Sequence, residues 1–287
     1  MSSLPKVAAI LAFATLVVLA QSYRAAQFET IPLPVICGSL AFFVQWLAFI
    51  PAWLLKTEKF YDLTGSATYI AVVFLALALS EEKSLRAVLL TMMVALWAAR
   101  LGLFLFSRIL IDDGDSRFDK IKQSAPRFFL TWTIQGLWVV VTAAAAVAAI
   151  SSSSSKPLGT IDYLALIIWG AGLLIETIAD YQKRQFRRRH GESAFIDSGL
   201  WRYSRHPNYF GEILLWSGIA LLAAPVLAGW QLISLVSPLF VFFLLTRLSG
   251  IPLLEAKAQS KWGENENYMA YLRETSRLVP MPKKKSG

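Results

Sequence analysis

Apolar side chains form eight long stretches along the chain, and short segments rich in lysine and arginine separate them. A transmembrane helix needs about 20 mainly apolar residues to cross roughly 30 Å of hydrocarbon. The eight stretches cover residues 5–21, 33–55, 64–80, 85–111, 128–150, 158–180, 208–224 and 230–248. This pattern predicts an all-α polytopic membrane protein with seven to eight transmembrane helices.

The composition excludes a soluble globular domain. Charged residues make up 16% of the 287 residues and hydrophobic residues 56%, whereas soluble domains carry roughly 25% charged residues. The single cysteine, Cys37, lies within the second stretch, so no intrachain disulfide is expected. Because His190 and His206 are the only histidines, the chain lacks the ligands for a Cys/His zinc site, and we expect no metal.

The basic residues are distributed unevenly between the segments that join the stretches. If the spans alternate from a cytoplasmic N-terminus, 23 of the 28 Lys and Arg residues face one side and four face the other, while Arg100 lies within the fourth stretch. Cytoplasmic segments are enriched in these residues, so both termini are predicted to be cytoplasmic. This bias also accounts for the net charge of +9, and we expect no nucleic-acid partner. Lys6 precedes an apolar run that ends in Val18-Leu19-Ala20-Gln21, which fits a signal peptide, but seven further spans favour a retained anchor.

Polar side chains that can carry chemistry are concentrated in residues 180–212 and 255–280. On a helix that continues from the sixth stretch, Asp180, Arg184 and Arg187 share one face. They indicate a site near the membrane boundary, where ionisable side chains are usually functional. The alternative is a cytoplasmic loop whose charges only set the topology.

A helix start is predicted at Pro207, because proline suits the first helical position. Asn208, Tyr209 and Glu212 then occupy the first turns of the seventh span. Backbone N–H groups at a helix start favour an anionic ligand. The alternative is a capped helix with no ligand.

Two motifs make a family resemblance specific. Residues 199–212 read Gly-Leu-Trp-Arg-Tyr-Ser-Arg-His-Pro-Asn-Tyr-Phe-Gly-Glu, and residues 59–65 read Lys-Phe-Tyr-Asp-Leu-Thr-Gly. The chain resembles bacterial membrane proteins grouped as steroid 5-alpha-reductase-like, the DUF1295 family, over about residues 56–280. It is more distantly similar to eukaryotic steroid 5-alpha-reductases and sterol reductases, and to isoprenylcysteine carboxyl methyltransferases, which share Arg-His-Pro-x-Tyr.

The reductase resemblance implies a bacterial inner-membrane enzyme in which two N-terminal helices, within residues 1–55, precede a reductase-like domain of residues 56–287. It implies that NADPH reduces a C=C bond of a lipophilic, steroid-like enone, and that this substrate enters from membrane lipid. The implied cofactor site lies on the cytoplasmic side and comprises ten residues. These are Asp180, Arg184, Arg187, Tyr203, Arg205, His206, Asn208, Tyr209, Glu212 and Glu255.

The resemblance also implies a carboxylate near the substrate carbonyl. The nearest match is Asp62, where the reductases have glutamate. Hydride addition to an enone builds negative charge on the carbonyl oxygen, which a hydrogen-bond donor must stabilise. A protonated Asp62 would supply that donor, with Tyr61 or Tyr69 as a neighbour. Tyr69 is seven residues away and therefore shares its helix face. Trp97 takes the place of the partner tyrosine when Arg100 is aligned. The alternative is that Asp62 only caps the third span.

The methyltransferase resemblance offers an alternative function, the transfer of a methyl group from S-adenosylmethionine to a lipid or thiol. Its motif is met in part by Glu255, Trp262, Tyr268 and Tyr271. The three aromatic residues would equally form an aromatic belt at the lipid headgroups. NADPH carries about four negative charges and S-adenosylmethionine is a cation, while seven Lys and Arg residues lie between residues 183 and 205. The charges therefore favour the reductase. A non-enzymatic scaffold or carrier is a third alternative, supported only by the arginine within the fourth stretch.

Overall fold

A computed structural model describes residues 3–112, 114–191 and 194–283 of the chain. The described α-helices are α1 (Leu4–Gln21), α2 (Leu33–Leu54), α3 (Tyr61–Leu79), α4 (Leu85–Asp112), α5 (Ala125–Thr142), α6 (Ala144–Ile150), α7 (Thr160–His190), α8 (Pro207–Ala223), α9 (Ser237–Phe243), α10 (Ile251–Trp262) and α11 (Glu266–Glu274). A short antiparallel hairpin pairs β1 (Gln27–Phe28) with β2 (Ile31–Pro32). Short 3-10 helices cover Ser116–Phe118, Gly199–Arg202, Ala224–Val226 and Gly229–Val236, and a π-helix covers Leu244–Leu248. The predicted all-α fold is confirmed.

Within the described residues, seven helical segments are long and apolar enough to cross a membrane. They are α1 to α4, α7, α8 with the 3-10 turn after it, and Gly229–Trp262. Helices α5 and α6, which are bent by 55° at the residue between them, form an eighth if they are one broken span. The predicted number of seven to eight spans is confirmed by length and composition. The cytoplasmic placement of both termini and the bacterial inner membrane stay predictions.

Two helices extend beyond the apolar stretches that predicted them. Helix α3 begins at Tyr61, three residues before the third stretch starts at 64. Helix α7 continues past the end of the sixth stretch at 180 to His190, which confirms the predicted continuation of this helix. Neither added segment contains glycine or proline, so nothing interrupts the helical backbone there. Helix α7 ends before Gly191, whose φ of +63° is a left-handed conformation that glycine adopts without strain.

Contacts between residues divide the chain into two compact units. The first unit comprises Met1–Asp162 and Ile219–Ser237, and the second comprises Tyr163–Gly218 and Pro238–Gly287. The predicted domain boundary between residues 55 and 56 stays a prediction.

In the first unit, α3 packs against α2 and α4, and α5 packs against α1 and α2. Helix α6 is composed of five alanines, a valine and an isoleucine, and all seven side chains are buried. Small side chains let neighbouring helices approach closely where lipid supplies no hydrophobic drive for their association. At the start of α3, the ring of Tyr61 lies 5.0 Å from the rings of both Phe118 and Trp132. This aromatic cluster fixes the first turn of α3.

A buried ion pair joins Arg86 at the start of α4 to Asp162 at the start of α7. Both residues are 2% exposed. Arg86 also donates to the carbonyl oxygen of Leu222 at 2.6 Å, and Asp162 accepts from the backbone N–H of Gly159 at 2.7 Å. A buried charge without a partner costs several kcal/mol, so each residue of the pair offsets the cost of burying the other's charge.

We expect Arg86→Met to lower the free energy of unfolding by about 3–5 kcal/mol, because Asp162 would remain buried without its counter-charge. The control is Lys83→Met, which removes an exposed cation three residues earlier and should change stability by no more than about 0.5 kcal/mol. Thermal unfolding in detergent compares the two variants. Equal unfolding temperatures would show that the ion pair does not support the fold.

Candidate cofactor site

A cavity of about 140 Å³ lies in the second unit. Its walls come from the end of α7, the segment of residues 194–206, α10 and α11. Helix α11 is fixed at its start by Asn265, whose side chain accepts a hydrogen bond from the backbone N–H of Tyr268 at 3.1 Å. The extension of α7 past residue 180 brings charged side chains to one wall, and α10 brings charged side chains to another.

The described cavity walls are strongly cationic. Among the lining residues that the structure describes, five are lysine or arginine and one is acidic. The cations are Lys183 and Arg187 on α7, Arg205 before α8, and Lys257 and Lys261 on α10, and the acid is Glu255. Each helix places its two cations four residues apart, so they share a face. Clustered cations of this kind bind phosphate and carboxylate groups.

An aromatic wall completes the cavity. The ring of Phe195 lies 6.0 Å from Trp262, 5.1 Å from Tyr268 and 5.5 Å from Tyr271. The hydroxyl of Tyr271 donates to the carbonyl oxygen of Trp201 at 2.8 Å. Burial raises the pKa of the Tyr268 and Tyr271 hydroxyls above the usual range, so both side chains remain neutral near pH 7. The wall therefore offers uncharged ring faces beside the cations.

The carboxylate of Glu255 is bonded by cationic and polar groups from two other segments. Arg205 approaches it at 3.1 Å, Arg277 at 2.8 Å, and Nε2 of His206 lies 3.4 Å away. Burial lowers the pKa of His206, and the nearby carboxylate only partly offsets this effect. The imidazole is therefore neutral at physiological pH. Glu255 thus has its negative charge offset by two arginines.

Two buried nitrogen atoms next to this network have no hydrogen-bond partner within the described part of the chain. They are Nδ1 of His206 and Nε of Arg205. Buried polar atoms in folded proteins normally have a partner. Because the neutral imidazole directs its Nε2 hydrogen at Glu255, Nδ1 of His206 can only accept a hydrogen bond, whereas Nε of Arg205 can donate one to a phosphate. A ligand that carries both a phosphate and a hydroxyl group, as a nucleotide cofactor does, fits the two atoms.

The C-terminal segment holds Arg277 in place. Ser276 pairs with Ser204 in a parallel bridge, and its carbonyl oxygen accepts from the backbone N–H of Arg205 at 2.8 Å. The backbone N–H of Met281 donates to the carbonyl oxygen of Tyr203 at 3.0 Å. These bonds fasten residues 276–281 alongside the segment that carries Arg205 and His206.

The structure brings four of the ten predicted cofactor residues to the cavity. Arg187, Arg205, His206 and Glu255 line the cavity, whereas Asp180, Arg184, Tyr203, Asn208, Tyr209 and Glu212 are not among its described lining residues. Asn208 donates to Asp180 at 3.2 Å, and the ring of Tyr209 stacks on His206 at 5.7 Å. Tyr203 is 44% exposed, and Arg184 and Glu212 are half-buried. The cavity-lining face of α7 therefore runs through Lys183 and Arg187 and overlaps the predicted face at Arg187.

Helices α7 and α8 approach each other at backbone distance. A Cβ atom on Gly211 would lie 2.6 Å from the backbone nitrogen of Glu176 and 2.7 Å from the carbonyl oxygen of Gly172. A Cβ atom on Gly172 would meet the backbone of Gly211 and Leu215 at similar distances. Small residues permit such contact between membrane helices. This packing sets the height at which α8 presents Asn208 to Asp180.

The predicted catalytic residues lie in the first unit. Asp62 is in the first turn of α3, and the N-cap residue is Phe60. The alternative that Asp62 caps this helix is therefore wrong, because the helix begins before it. Asp62 is half-buried, and the charges of Arg108, Arg117 and Asp115 act on its carboxyl group.

The other three predicted catalytic residues pack within the same unit. The hydroxyl of Tyr61 donates to the carbonyl oxygen of Thr131 at 3.1 Å, and that of Tyr69 donates to Trp138 at 3.2 Å. The ring of Tyr69 meets the ring of Trp97 edge-on at 5.2 Å. Tyr69 and Trp97 are thus in contact, and both tyrosine hydroxyls are engaged by backbone oxygens.

Glu58 fixes the segment that carries Arg117. It is 3% exposed, accepts from Lys122 at 3.0 Å and accepts from the backbone N–H of Asp115 at 2.9 Å. Gly114 adopts a φ of +135°, and a Cβ atom there would lie 3.0 Å from Oε1 of Glu58. The carboxylate therefore holds this segment near the start of α3.

Sequence analysis did not single out several residues of these two sites. Lys257 and Lys261 have the i, i+4 spacing that would have indicated a shared helix face, had α10 been recognised. For Arg277 and Glu58 no local signal exists, since their partners lie 22 and 64 residues away. Phe195 lies in a segment without regular structure, where spacing carries no prediction.

Comparisons with known proteins agree on one family. The family described as proteins of unknown function, DUF1295, matches residues 48–275. An uncharacterised protein of Schizosaccharomyces pombe is 24% identical over 197 residues, which cover 58% of this chain and 57% of that protein. No solved structure matches.

Two mammalian enzymes share shorter segments with the chain. The 3-oxo-5-alpha-steroid 4-dehydrogenase 1 of Macaca fascicularis is 35% identical over 96 residues, covering 33% of this chain and 32% of the enzyme. The enzyme of the same name from Rattus norvegicus is 31% identical over 115 residues, covering 39% of each. The chain thus spans less than two thirds of the length of each of these relatives.

Gly211→Ala should lower the stability by about 1–3 kcal/mol, because the added methyl group would force α8 away from α7. The control is Gly170→Ala, on the same helix as Gly172, where a Cβ atom meets no atom within 4 Å. That variant should be neutral or stabilising by up to about 1 kcal/mol, since alanine favours a helix. Thermal unfolding in detergent separates them, and equal effects would contradict the close packing.

Proposed function

We propose that this chain, which belongs to the DUF1295 family, is an integral membrane reductase that uses NADPH to reduce a C=C bond of a lipophilic enone. The observation that carries this proposal is the cationic, aromatic-walled cavity of the second unit. The names of the two mammalian relatives describe a dehydrogenation next to a steroid ketone. Its reverse is the reduction of an enone.

Charge supports NADPH as the cofactor. Lys183, Arg187, Lys257 and Lys261 present four cationic groups to the cavity. The described acid in the wall, Glu255, already interacts with two arginines. A phosphate-rich ligand would gain charge-assisted hydrogen bonds here, whereas a cationic ligand would be repelled.

Asp62 is the proposed group that acts on the substrate. NADPH, when bound, supplies a hydride. The substrate carbonyl oxygen needs a hydrogen-bond donor as its negative charge develops. The hydroxyls of Tyr61 and Tyr69 donate to backbone oxygens, so a protonated Asp62 is the donor that we assign, while Tyr61, Tyr69 and Trp97 shape its surroundings. A lipophilic substrate would reach this residue from the surrounding lipid.

The alternative function is methyl transfer from S-adenosylmethionine. The observation that favours it is the aromatic wall of Trp262, Tyr268 and Tyr271, which suits any adenosine. Glu255 would be the natural partner of the cationic sulfonium. Its bonds to Arg205 and Arg277 weigh against this role.

We expect the purified protein to bind NADPH at least about tenfold more tightly than NADH, because a single charge-assisted hydrogen bond to the 2′-phosphate is worth about 1.5–3 kcal/mol. Calorimetric titration in detergent measures both dissociation constants, with S-adenosylmethionine as a third ligand. Equal affinities for the two nucleotides would contradict the cofactor assignment. Binding of S-adenosylmethionine alone would establish the alternative.

Asp62→Asn should slow turnover by roughly ten- to a thousandfold, because it removes a positioned acid that acts as charge develops. The NADPH dissociation constant should change little, since ground-state cofactor binding does not use this group. The control is Asp119→Asn, which alters a carboxylate that is 61% exposed in the same unit and should leave kcat near the wild-type value. A folded Asp62→Asn variant with wild-type kcat would remove Asp62 from the mechanism.

A further inference from the structure

The two lysines of α10 form a cationic pair on one wall of the cavity. Lys257 and Lys261 are four residues apart on the helix and both line the cavity. Both residues are exposed, so their ammonium groups reach solvent and need no buried counter-charge. The ammonium of Lys261 lies 5.5 Å from the centre of the Trp262 ring. The pair thus stands next to the aromatic wall.

A second cationic pair lies on α7. Lys183 and Arg187 are also four residues apart and line the same cavity. The ammonium of Lys183 lies 4.7 Å from the centre of the Trp201 ring. Two helices therefore bring pairs of cations to one small space, and each pair is accompanied by an aromatic ring.

The aromatic wall of the same cavity offers a stacking surface for a base. Phe195 meets three aromatic rings within 6.0 Å. Stacking of a nucleobase on aromatic side chains contributes about 1–3 kcal/mol per base. A ligand that combines a flat aromatic base with two separate phosphate positions would use every wall of the cavity.

The adenosine end of NADPH has this combination, because its ribose carries adenine, a 2′-phosphate and a 5′-pyrophosphate. The nicotinamide end carries no phosphate beyond the shared pyrophosphate and must meet a lipophilic substrate. Four cations would therefore not strengthen the binding of the nicotinamide end. The charge of the cavity therefore distinguishes the two ends of the cofactor.

We infer that this cavity receives the 2′-phosphoadenosine end of NADPH, and that Lys257 and Lys261 determine the preference for the 2′-phosphate. This inference rests on the proposed function. It adds two specificity residues that the motif resemblance did not include. Lys183 and Arg187, on α7, then bind the pyrophosphate.

The experiment uses the full chain in detergent and measures dissociation constants for 2′,5′-ADP, 5′-ADP, NADPH and NADH. We expect the double variant Lys257→Gln with Lys261→Gln to weaken 2′,5′-ADP and NADPH by at least about tenfold. The affinities for 5′-ADP and NADH should change by less than about threefold, because those ligands lack the 2′-phosphate. The arginine double variant at the same two positions keeps the charges and should restore tight binding of 2′,5′-ADP.

The matched control is the double variant Arg188→Gln with Arg189→Gln. It removes the same charge from exposed positions on α7 that are not among the described lining residues. All four affinities should stay within about threefold of wild type. A loss of 2′,5′-ADP binding as large as that of the lysine variant would show that only net charge matters, and would overturn the inference.

Two further outcomes separate the inference from the proposed function. If NADPH binds more tightly than NADH and the lysine variant does not alter this preference, the inference is overturned while the reductase proposal stands. If the wild type binds neither NADPH nor 2′,5′-ADP, the reductase proposal itself fails. A phosphate group of a lipid would use the same cations, so short-chain phosphatidic acid is a competitor in the titration. Displacement of 2′,5′-ADP by phosphatidic acid at lower concentration than by NADPH would assign the cavity to a lipid headgroup.

Discussion

The extension of α7 beyond its apolar residues is the feature on which the candidate site depends. Its 31 residues, at about 1.5 Å per residue, give a helix of about 46 Å, while a bilayer core is roughly 30 Å thick. The excess must lie outside the hydrocarbon, and it carries Lys183 and Arg187. Because a helix is rigid over this length, the membrane span fixes where these cations stand. Gly191 ends the helix at the edge of the cavity.

Charged side chains within each unit are placed by partners, in keeping with the cost of an isolated charge in an apolar setting. Arg86 and Asp162 bond each other, and Glu58 bonds Lys122. Glu255 differs because it interacts with two arginines and a neutral histidine. Five of the described lining residues are lysine or arginine and one is acidic, so the cavity carries a net positive charge. This surplus is the physical basis for proposing an anionic cofactor.

The sequence predicted the all-α fold and the number of spans because hydrocarbon thickness imposes a length and an apolar composition on each span. The start of α8 was also predictable, since Pro207 favours the first helical position. The role of Asp62 as a helix cap was wrong, because hydropathy placed the start of α3 at the first apolar residues. The first turn of α3 includes the charged Asp62, so the helix begins at Tyr61 and its N-cap residue is Phe60.

The cavity itself was only partly predictable. Arg187 and Arg205 fell within a recognisable basic segment, but α10 has a charged sequence without a strong apolar pattern. Tertiary folding brings Lys257 and Lys261 to the same cavity as Lys183, and local sequence spacing does not indicate this. The face of α7 that lines the cavity overlaps the predicted one at Arg187, but it is rotated so that Lys183 takes the place of Asp180 and Arg184. At about 100° per residue, Lys183 lies about 60° from Asp180 and about 100° from Arg184 around the helix.

The central claim is that a nucleotide occupies the cavity between α7 and α10. Lysine acetylation with and without saturating NADPH, followed by mass spectrometry, tests it most directly. NADPH should slow the modification of Lys183, Lys257 and Lys261, while Lys59 and Lys120, which are exposed in the first unit, should react at unchanged rates. Unchanged rates at the three cavity lysines under conditions where NADPH is bound would contradict the claim.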